Sequence, residues 1–211
     1  MTTSAPAIRA VLFDVGNVLL RFDFSIALRR IAAQSEVSDP VDMMARLDQM
    51  KQPYEDGRID RAAFVSGAMD ALRYRGTEAD FVAALEEIFD PNEPMFALVE
   101  KLHERLPLFL LSNTSDIHRE YFFREYPVFQ RFSGGVYSDV ARCSKPSREI
   151  YQIACQQLRL EPATTFFIDD LLPNIEAARA LGFFAHHYHH ERHAELLAQL
   201  AAAGVLRDVA D

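Results

Sequence analysis

The chain has 211 residues, 49% of them hydrophobic and 25% charged, with a formal net charge of −9. That length suits one core, or one core with a small accessory unit, and the composition is that of an ordinary soluble globular protein. The acidic balance, with a pI near 5.3, argues against an electrostatic nucleic-acid or membrane surface, so an anionic ligand has to be held by local features.

No apolar run approaches the roughly 18 residues of a membrane span. Met1 to Pro6 lacks a basic segment followed by an apolar one, so a cytoplasmic protein is expected. Cys143 and Cys155 fit no metal or redox spacing and read as free thiols.

The first predicted element is Val11-Leu12-Phe13-Asp14-Val15-Gly16-Asn17-Val18-Leu19-Leu20. An apolar run delivers a carboxylate to a glycine turn, which reads as a buried strand with Asp14 exposed at its carboxyl end. Ligands of open α/β sheets bind at that end. Residues 22–92 then carry almost only helical periodicity: Ile26-Ala27-Leu28 with Ile31-Ala32, Met43-Met44 with Leu47, and Phe64 with Ala68 and Leu72. Gly57 and Gly76 punctuate the stretch.

Four more strand-like runs follow, at Pro107 to Leu111, Gly134 to Ser138, Thr164 to Ile168 and Phe183 to Tyr188. Helical patterns separate or follow them, near Glu93 to Arg105, Ser147 to Leu158, Pro173 to Leu181 and Glu191 to Ala203. Alternation of this kind predicts an α/β protein with a doubly wound, parallel, Rossmann-like sheet. Residues 1–21 and 93–211 form its core domain, and 22–92 form a small helical cap inserted after the first strand, above the carboxyl edge.

Polar groups suited to one reaction follow three of the strands. Asp14 follows the first, Ser112-Asn113 the second and Asp169-Asp170 the fourth, while Lys145-Pro146 precedes the helix before the fourth. Carboxylates converging at a sheet edge make an all-oxygen Mg²⁺ site that uses a substrate phosphate as a further ligand. A carboxylate there can attack phosphorus. Ser112 and Asn113 are placed to hold phosphoryl oxygens and Lys145 to neutralise them. Each group also has an ordinary reading: Ser112 as a helix N-cap with Asp116 as its rival, Lys145 as a solvated cation, and Asp169-Asp170 as acids at a helix N-terminus. Adjacent like charges after a buried strand cost energy unless a cation lies nearby, which makes the aspartate pair the least ordinary of them.

Four ordered stretches, Asp14-x-Gly16-Asn17, Leu111-Ser112-Asn113-Thr114, Lys145-Pro146 with Ile150-Tyr151, and Phe167-Ile168-Asp169-Asp170-x-x-x-Asn174, resemble the motifs of the haloacid dehalogenase-like (HAD) hydrolases. Asn113-Thr114 with His118, and Glu125-Tyr126-Pro127, are similar to the bacterial α-D-glucose-1-phosphate phosphatase group. Tyr54-Glu55-Asp56-Gly57-Arg58-Ile59 resembles that group's cap segment. The resemblance implies Asp14 as nucleophile and metal ligand, Gly16 as a carbonyl ligand to Mg²⁺, and Ser112, Asn113 and Lys145 as phosphate-binding groups. It implies Asp170 as a direct metal ligand, Asp169 as a direct or water-mediated one, and Asn174 as a supporting group. Glu55, Arg58 and His118 are candidate specificity contacts.

One position departs from the wider pattern. Most phosphatases of this superfamily carry a second aspartate two residues after the nucleophile as acid and base, where this chain has Gly16. Three replacements are open: a cap residue such as Glu55 or Asp56, a metal-associated water, or an anomeric leaving group that needs little protonation. The expected protein is a Mg²⁺-dependent phosphomonoesterase acting on a small phosphorylated metabolite, a sugar phosphate above all. It needs no nucleic acid or membrane and works as a monomer or homodimer. The alternatives are a 2-haloacid dehalogenase, whose halide leaves without a proton, and a catalytically weak binding or regulatory member of the fold. The histidines from His186 to His193 alternate between strand faces, so they read as a solvated or partly packed edge and not as a shared metal site.

Overall fold

A computed structural model describes residues 7–206; Met1 to Pro6 lie outside the described residues. The chain opens with strands β1 (Ala10–Phe13) and β2 (Leu20–Phe22), followed by helices α1 (Phe24–Ala32), α2 (Pro40–Glu55), α3 (Arg61–Leu72) and α4 (Glu78–Glu86). Strand β3 (Phe89–Pro91), helix α5 (Glu93–Leu102), strand β4 (Leu108–Ser112) and helix α6 (Asp116–Glu125) come next. Then follow β5 (Gly135–Tyr137), α7 (Ser138–Ala141), α8 (Arg148–Leu158), β6 (Thr165–Asp169), α9 (Leu172–Ala180), β7 (Phe184–His187) and α10 (His193–Ala202).

Five strands form one parallel sheet in the order β5-β4-β1-β6-β7. The chain steps outward from β1 in one direction through β4 and β5, and in the other through β6 and β7, so β1 is the switch point where such sheets open a crevice. Its continuous apolar run follows from burial on both faces. Val11 and Phe13 pack with Met95, Leu98, Leu196 and Leu200 on one side, while Ala10 and Leu12 pack with Ile150, Tyr151, Ile175 and Ala178 on the other. Register then sets the chemistry. Phe13 pairs with Leu110 and Ile168, so the next residues of β1 and β6, Asp14 and Asp169, come side by side.

Residues 24–86 form the four helices of the insertion, with an apolar cluster of their own around Ile31, Met43, Leu47, Phe64, Ala68 and Phe81. Local signals start each helix. Asp23, Asp39 and Asp60 accept N-terminal amides of α1, α2 and α3, and Thr77 with Asp80 makes a capping box on α4. The sequence reading contains no strand at either end of this region, yet β2 and β3 pair antiparallel there. Each has three residues, too few to register as a periodicity, and β3 ends on Pro91 at a ribbon edge that tolerates a missing donor. Asn92 fastens the ribbon to the core, its amide donating to the Val18 carbonyl (2.7 Å) and the Tyr188 hydroxyl (2.9 Å).

Helix α6 enters the sequence reading only through its candidate N-caps, Ser112 and Asp116, with no bounds. Only Ile117 and Phe122 of its ten residues are buried, and two positions make no visible stripe. The expected alternation reaches only His186 and His187, since β7 ends at His187 and the later histidines lie beyond it. His186 is buried against Gln199 (2.9 Å), whereas His189 and His190 are exposed and stacked on each other. Among the described residues, no helix is long and apolar enough to cross a membrane.

Candidate active site

Asp14 lies one residue beyond β1, its amide bonded to the Ile168 carbonyl (2.9 Å). It is not exposed, as the sequence predicts, but 93% covered, because the insertion and the Lys145 loop close over the strand end. Lys145 is equally buried, and its Nζ lies 2.8 Å from Asp14 Oδ1 and 2.7 Å from Asp169 Oδ2. Asp169 is saturated: Leu171 N (2.8 Å), both contacts of Asn174 Nδ2 (2.9 and 3.1 Å) and Lys145 all donate to its two oxygens. Asp170 accepts a single side-chain bond, from Asn17 (3.0 Å), so its carboxylate is the more open of the pair.

A further layer fixes these groups. The Asn113 side chain accepts from the Lys145 amide (2.8 Å) and donates to the Lys145 carbonyl (2.9 Å), clamping that loop to the end of β4. Tyr151 donates to the Asn174 carbonyl, and His187 Nε2 lies 2.9 Å from the Asp170 carbonyl. Asn17 takes a left-handed conformation (φ 52°), which asparagine tolerates, and this turns its amide toward Asp170. Ser112 is the last residue of β4, so it does not cap the following helix, whose N-cap is Ser115.

Asp14, Asp169 and Asp170 each offer an oxygen within 4.8 Å of the other two. Burial is the main force raising the Asp14 carboxyl; Lys145 opposes it and the charges of Asp169 and Asp170 add to it. Asp170 is raised too, again chiefly by burial, with Asn17 opposing. Burial alone lowers Lys145, but the two aspartates outweigh it and hold the ammonium charged. Three carboxylates against one lysine leave net negative charge in a covered site, and the donors are all oxygen. Such a set fits a hard divalent cation.

Two hollows adjoin the cluster and share Gly16, Phe22, Lys51, Glu55 and Asn113. One, of about 280 Å³, contains Asp14, Asn17, Lys145, Asp170 and Asn174; the other, of about 80 Å³, is walled by Phe24, Phe89, Phe122 and His118 and reaches Ser112. Glu55 therefore comes to the same chamber as Asp14, and His118 to the adjoining hollow that Glu55 also lines. Arg58 does not. It pairs with Asp56 at 2.8 Å, is 60% exposed, and lines a separate surface groove with Arg61 and Arg142.

His118 lies edge-on to Phe89 and stacks beside Phe122. Burial lowers its pKa from 6.5 to about 4, with Lys51 pushing the same way. The unfolded chain takes a proton near 6.5 and the folded chain resists until about 4, so stability is whole above 6.5 and is lost as pH falls. The loss is about 2 kcal/mol by pH 5. The raised carboxyls of Asp14, Asp170 and Glu55 act in the opposite sense over this range, so the measure is the difference between wild type and His118→Phe. The wild type should lose melting temperature relative to the variant from pH 7 to pH 5, and parallel curves would refute the assignment.

A parallel sheet with a carboxylate–lysine cluster at its switch point, topped by an inserted helical segment, is the architecture of a haloacid dehalogenase-fold enzyme. The chain belongs to the haloacid dehalogenase-like hydrolase family, whose profile matches residues 8–182, and it is a hydrolase. Among solved structures it is similar to an HAD family enzyme from Bacteroides thetaiotaomicron in its magnesium complex, at 25% identity and a TM-score of 0.79, covering 87% of this chain and 94% of that one. The same enzyme with magnesium and inorganic phosphate gives 26% identity and a TM-score of 0.78 over 85% and 93% of the two chains. An L-2-haloacid dehalogenase from Xanthobacter autotrophicus shares the fold at 20% identity and a TM-score of 0.61, covering 84% and 76%. No curated protein matches the chain.

Three contributors carry no role in the sequence reading: Asn17, Lys51 and His187. Asn17 stands inside the first motif, and its place after a glycine turn is a usable signal. Lys51 and His187 depend on how remote segments dock, and nothing local marks them.

Proposed function

We propose that the chain is a Mg²⁺-dependent phosphomonoesterase that hydrolyses a small phosphorylated metabolite, with a sugar phosphate as the substrate class, through an aspartyl-phosphate on Asp14. The observation that carries this reading is the buried cluster of Asp14, Lys145, Asp169 and Asp170 at the switch point of the sheet. Asp14, Asp170 and the Gly16 carbonyl would hold Mg²⁺, with Asp169 beside them directly or through water. When bound, the ion neutralises charge on the phosphoryl group and on the crowded carboxylates.

The chain's own groups do the rest. Asp14 attacks phosphorus, and the ester oxygen departs. Ser112 and the turn amides after β4 receive phosphoryl oxygens, and Lys145 balances their charge. Asn113 and Asn174 hold Lys145 and Asp169 in place. Water then cleaves the acyl phosphate and restores Asp14. Residues 22–92 act as a cap, bringing Lys51 and Glu55 over the site. A chamber of about 280 Å³ suits a small substrate, since drug-sized ligands need roughly 300–1,000 Å³, and the aromatic walls of the adjoining hollow suit the C–H faces of a sugar.

The absence of an acid at Gly16 also accords with a haloacid substrate, whose halide leaves without a proton. The adjacent Asp169-Asp170 pair favours the phosphatase, because halide displacement needs no cation site. Hydrolysis of p-nitrophenyl phosphate with Mg²⁺, abolished by EDTA and restored by added Mg²⁺, is the expected result. Metal-independent chloride release from 2-chloropropionate would overturn it, and inactivity toward both compounds would leave a binding member of the fold.

A further inference from the structure

Phosphate-ester hydrolysis requires two proton transfers that the cluster itself does not supply. The departing ester oxygen must gain a proton, and the attacking water must lose one. Five titratable side chains line the larger hollow: Asp14, Lys51, Glu55, Lys145 and Asp170. Asp14 accepts the phosphoryl group and Asp170 faces the cation site. Lys145 is pinned between two carboxylates that hold its proton on. Lys51 sits one helical turn before Glu55 and faces its carboxylate at 3.9 Å. Glu55 remains.

We infer that Glu55 is the general acid and base of the reaction, delivered by the inserted helices to the space beside Asp14 that Gly16 leaves without a side chain. This rests on the phosphomonoesterase reading and deepens it.

Several features place Glu55 there. It ends α2 and lines both hollows beside Gly16. The other carboxylate of this loop is already committed, since Asp56 accepts from Ser144, Gln52 and Arg58. The loop itself is pressed onto the core. Gly57 has φ +62°, and a Cβ there would fall 2.0 Å from the Asp139 carbonyl oxygen, so only glycine lets the two backbones meet so closely. Tyr54 donates to Asp116 on α6 from the other side of Glu55. At Gly16 the Phe22 ring lies 3.3 Å from the position of a Cβ, so a side chain at that point is crowded and the open approach is from the insertion.

Burial raises the Glu55 carboxyl above its ordinary range, with Lys51 opposing and Asp56 and Asp48 adding. From the core it faces Asp14, Lys145 and Asp170 across the hollow, and from α6 it faces His118.

In the first step Glu55 gives its proton to the ester oxygen as the bond from that oxygen to phosphorus breaks and the bond from Asp14 forms. The alcohol leaves neutral and Glu55 is left as carboxylate. In the second step Glu55 takes a proton from the water whose oxygen attacks phosphorus. The bond to Asp14 breaks, phosphate leaves, and both carboxyl groups return to their starting states.

Rapid-quench kinetics of Mg²⁺-loaded Glu55→Gln test this with p-nitrophenyl phosphate and phenyl phosphate, whose leaving phenolates differ greatly in basicity. On p-nitrophenyl phosphate the variant should keep a burst of one equivalent of nitrophenolate, followed by turnover slowed roughly 10²–10⁴-fold. On phenyl phosphate the burst itself should disappear, because the basic phenolate cannot leave unprotonated. The wild type should show no such contrast, and the variant's melting temperature should match it. A variant with unchanged turnover, or with equal slowing of phosphorylation by both esters, would overturn the role of Glu55. A wild type that hydrolyses neither ester in the presence of Mg²⁺ would instead overturn the phosphomonoesterase reading, and this inference with it.

Discussion

Asp14→Asn should lower phosphate release by on the order of 10⁴-fold or more while leaving the fold intact. An amide oxygen cannot carry the phosphoryl group, so the loss falls on the covalent step and not on binding. The stability effect should run the other way from a usual buried substitution. Asp14 is raised by burial and by the charges of Asp169 and Asp170, which means that its ionised form is held at a cost. Asparagine removes that charge, keeps an oxygen for the Val15 amide now bonded at 2.7 Å, and leaves Lys145 paired with Asp169 at 2.7 Å. Without metal, the variant should therefore melt within a few degrees of the wild type or above it. The rise in melting temperature on adding Mg²⁺ should shrink, because one of three converging carboxylates is gone. Phosphate release, intact-mass detection of a phosphoryl adduct after acid quench, and melts with and without Mg²⁺ check the three parts. Retention of more than about a hundredth of wild-type turnover would remove Asp14 from the role of acceptor.

The sequence makes the strands and their terminal carboxylates legible for one physical reason. A strand covered on both faces must be apolar throughout, so the first polar residue marks the point where the chain leaves the sheet. Asp14 and Asp169 stand out because of this. Parallel pairing of Phe13 with Ile168 brings them together without further information. What the sequence hides is set by docking between distant segments. The cover over Asp14 depends on where residues 24–86 come to rest. Asn113 looks like a phosphate-binding residue in its motif, yet its side chain spends both ends on the Lys145 backbone, a contact 32 residues away. Glu55 and Arg58 present equal claims in sequence, and only the turn after α2 separates them. That turn sends Glu55 inward and Arg58 to an exposed groove. The β2–β3 ribbon escapes notice because three residues carry no period.

Lys145→Met is the substitution expected to cost most stability. The side chain is 1% exposed and its ammonium is the only cation in contact with Asp14 and Asp169 among the described residues. Methionine fills nearly the same volume, so a cavity contributes little and the effect isolates the charge. Removing one partner of a buried pair typically costs 3–5 kcal/mol, roughly, since the remaining charge is left without compensation. Here two carboxylates are abandoned, with Asp170 adding to their repulsion. For a chain of this size each kcal/mol shifts the melting temperature by about 2–4 °C, so the metal-free variant should melt roughly 10 °C lower than the wild type. Mg²⁺ should recover part of this, because it neutralises the same carboxylates. Turnover should stay depressed by about 10²–10³-fold, the usual consequence of losing a group that stabilises transition-state charge. The two readouts separate the roles of the lysine. Charge balance in the cluster can be supplied by an added cation, whereas a positive group fixed against the phosphoryl oxygens cannot. Equal recovery of stability and turnover by Mg²⁺ would make Lys145 a structural counter-ion alone.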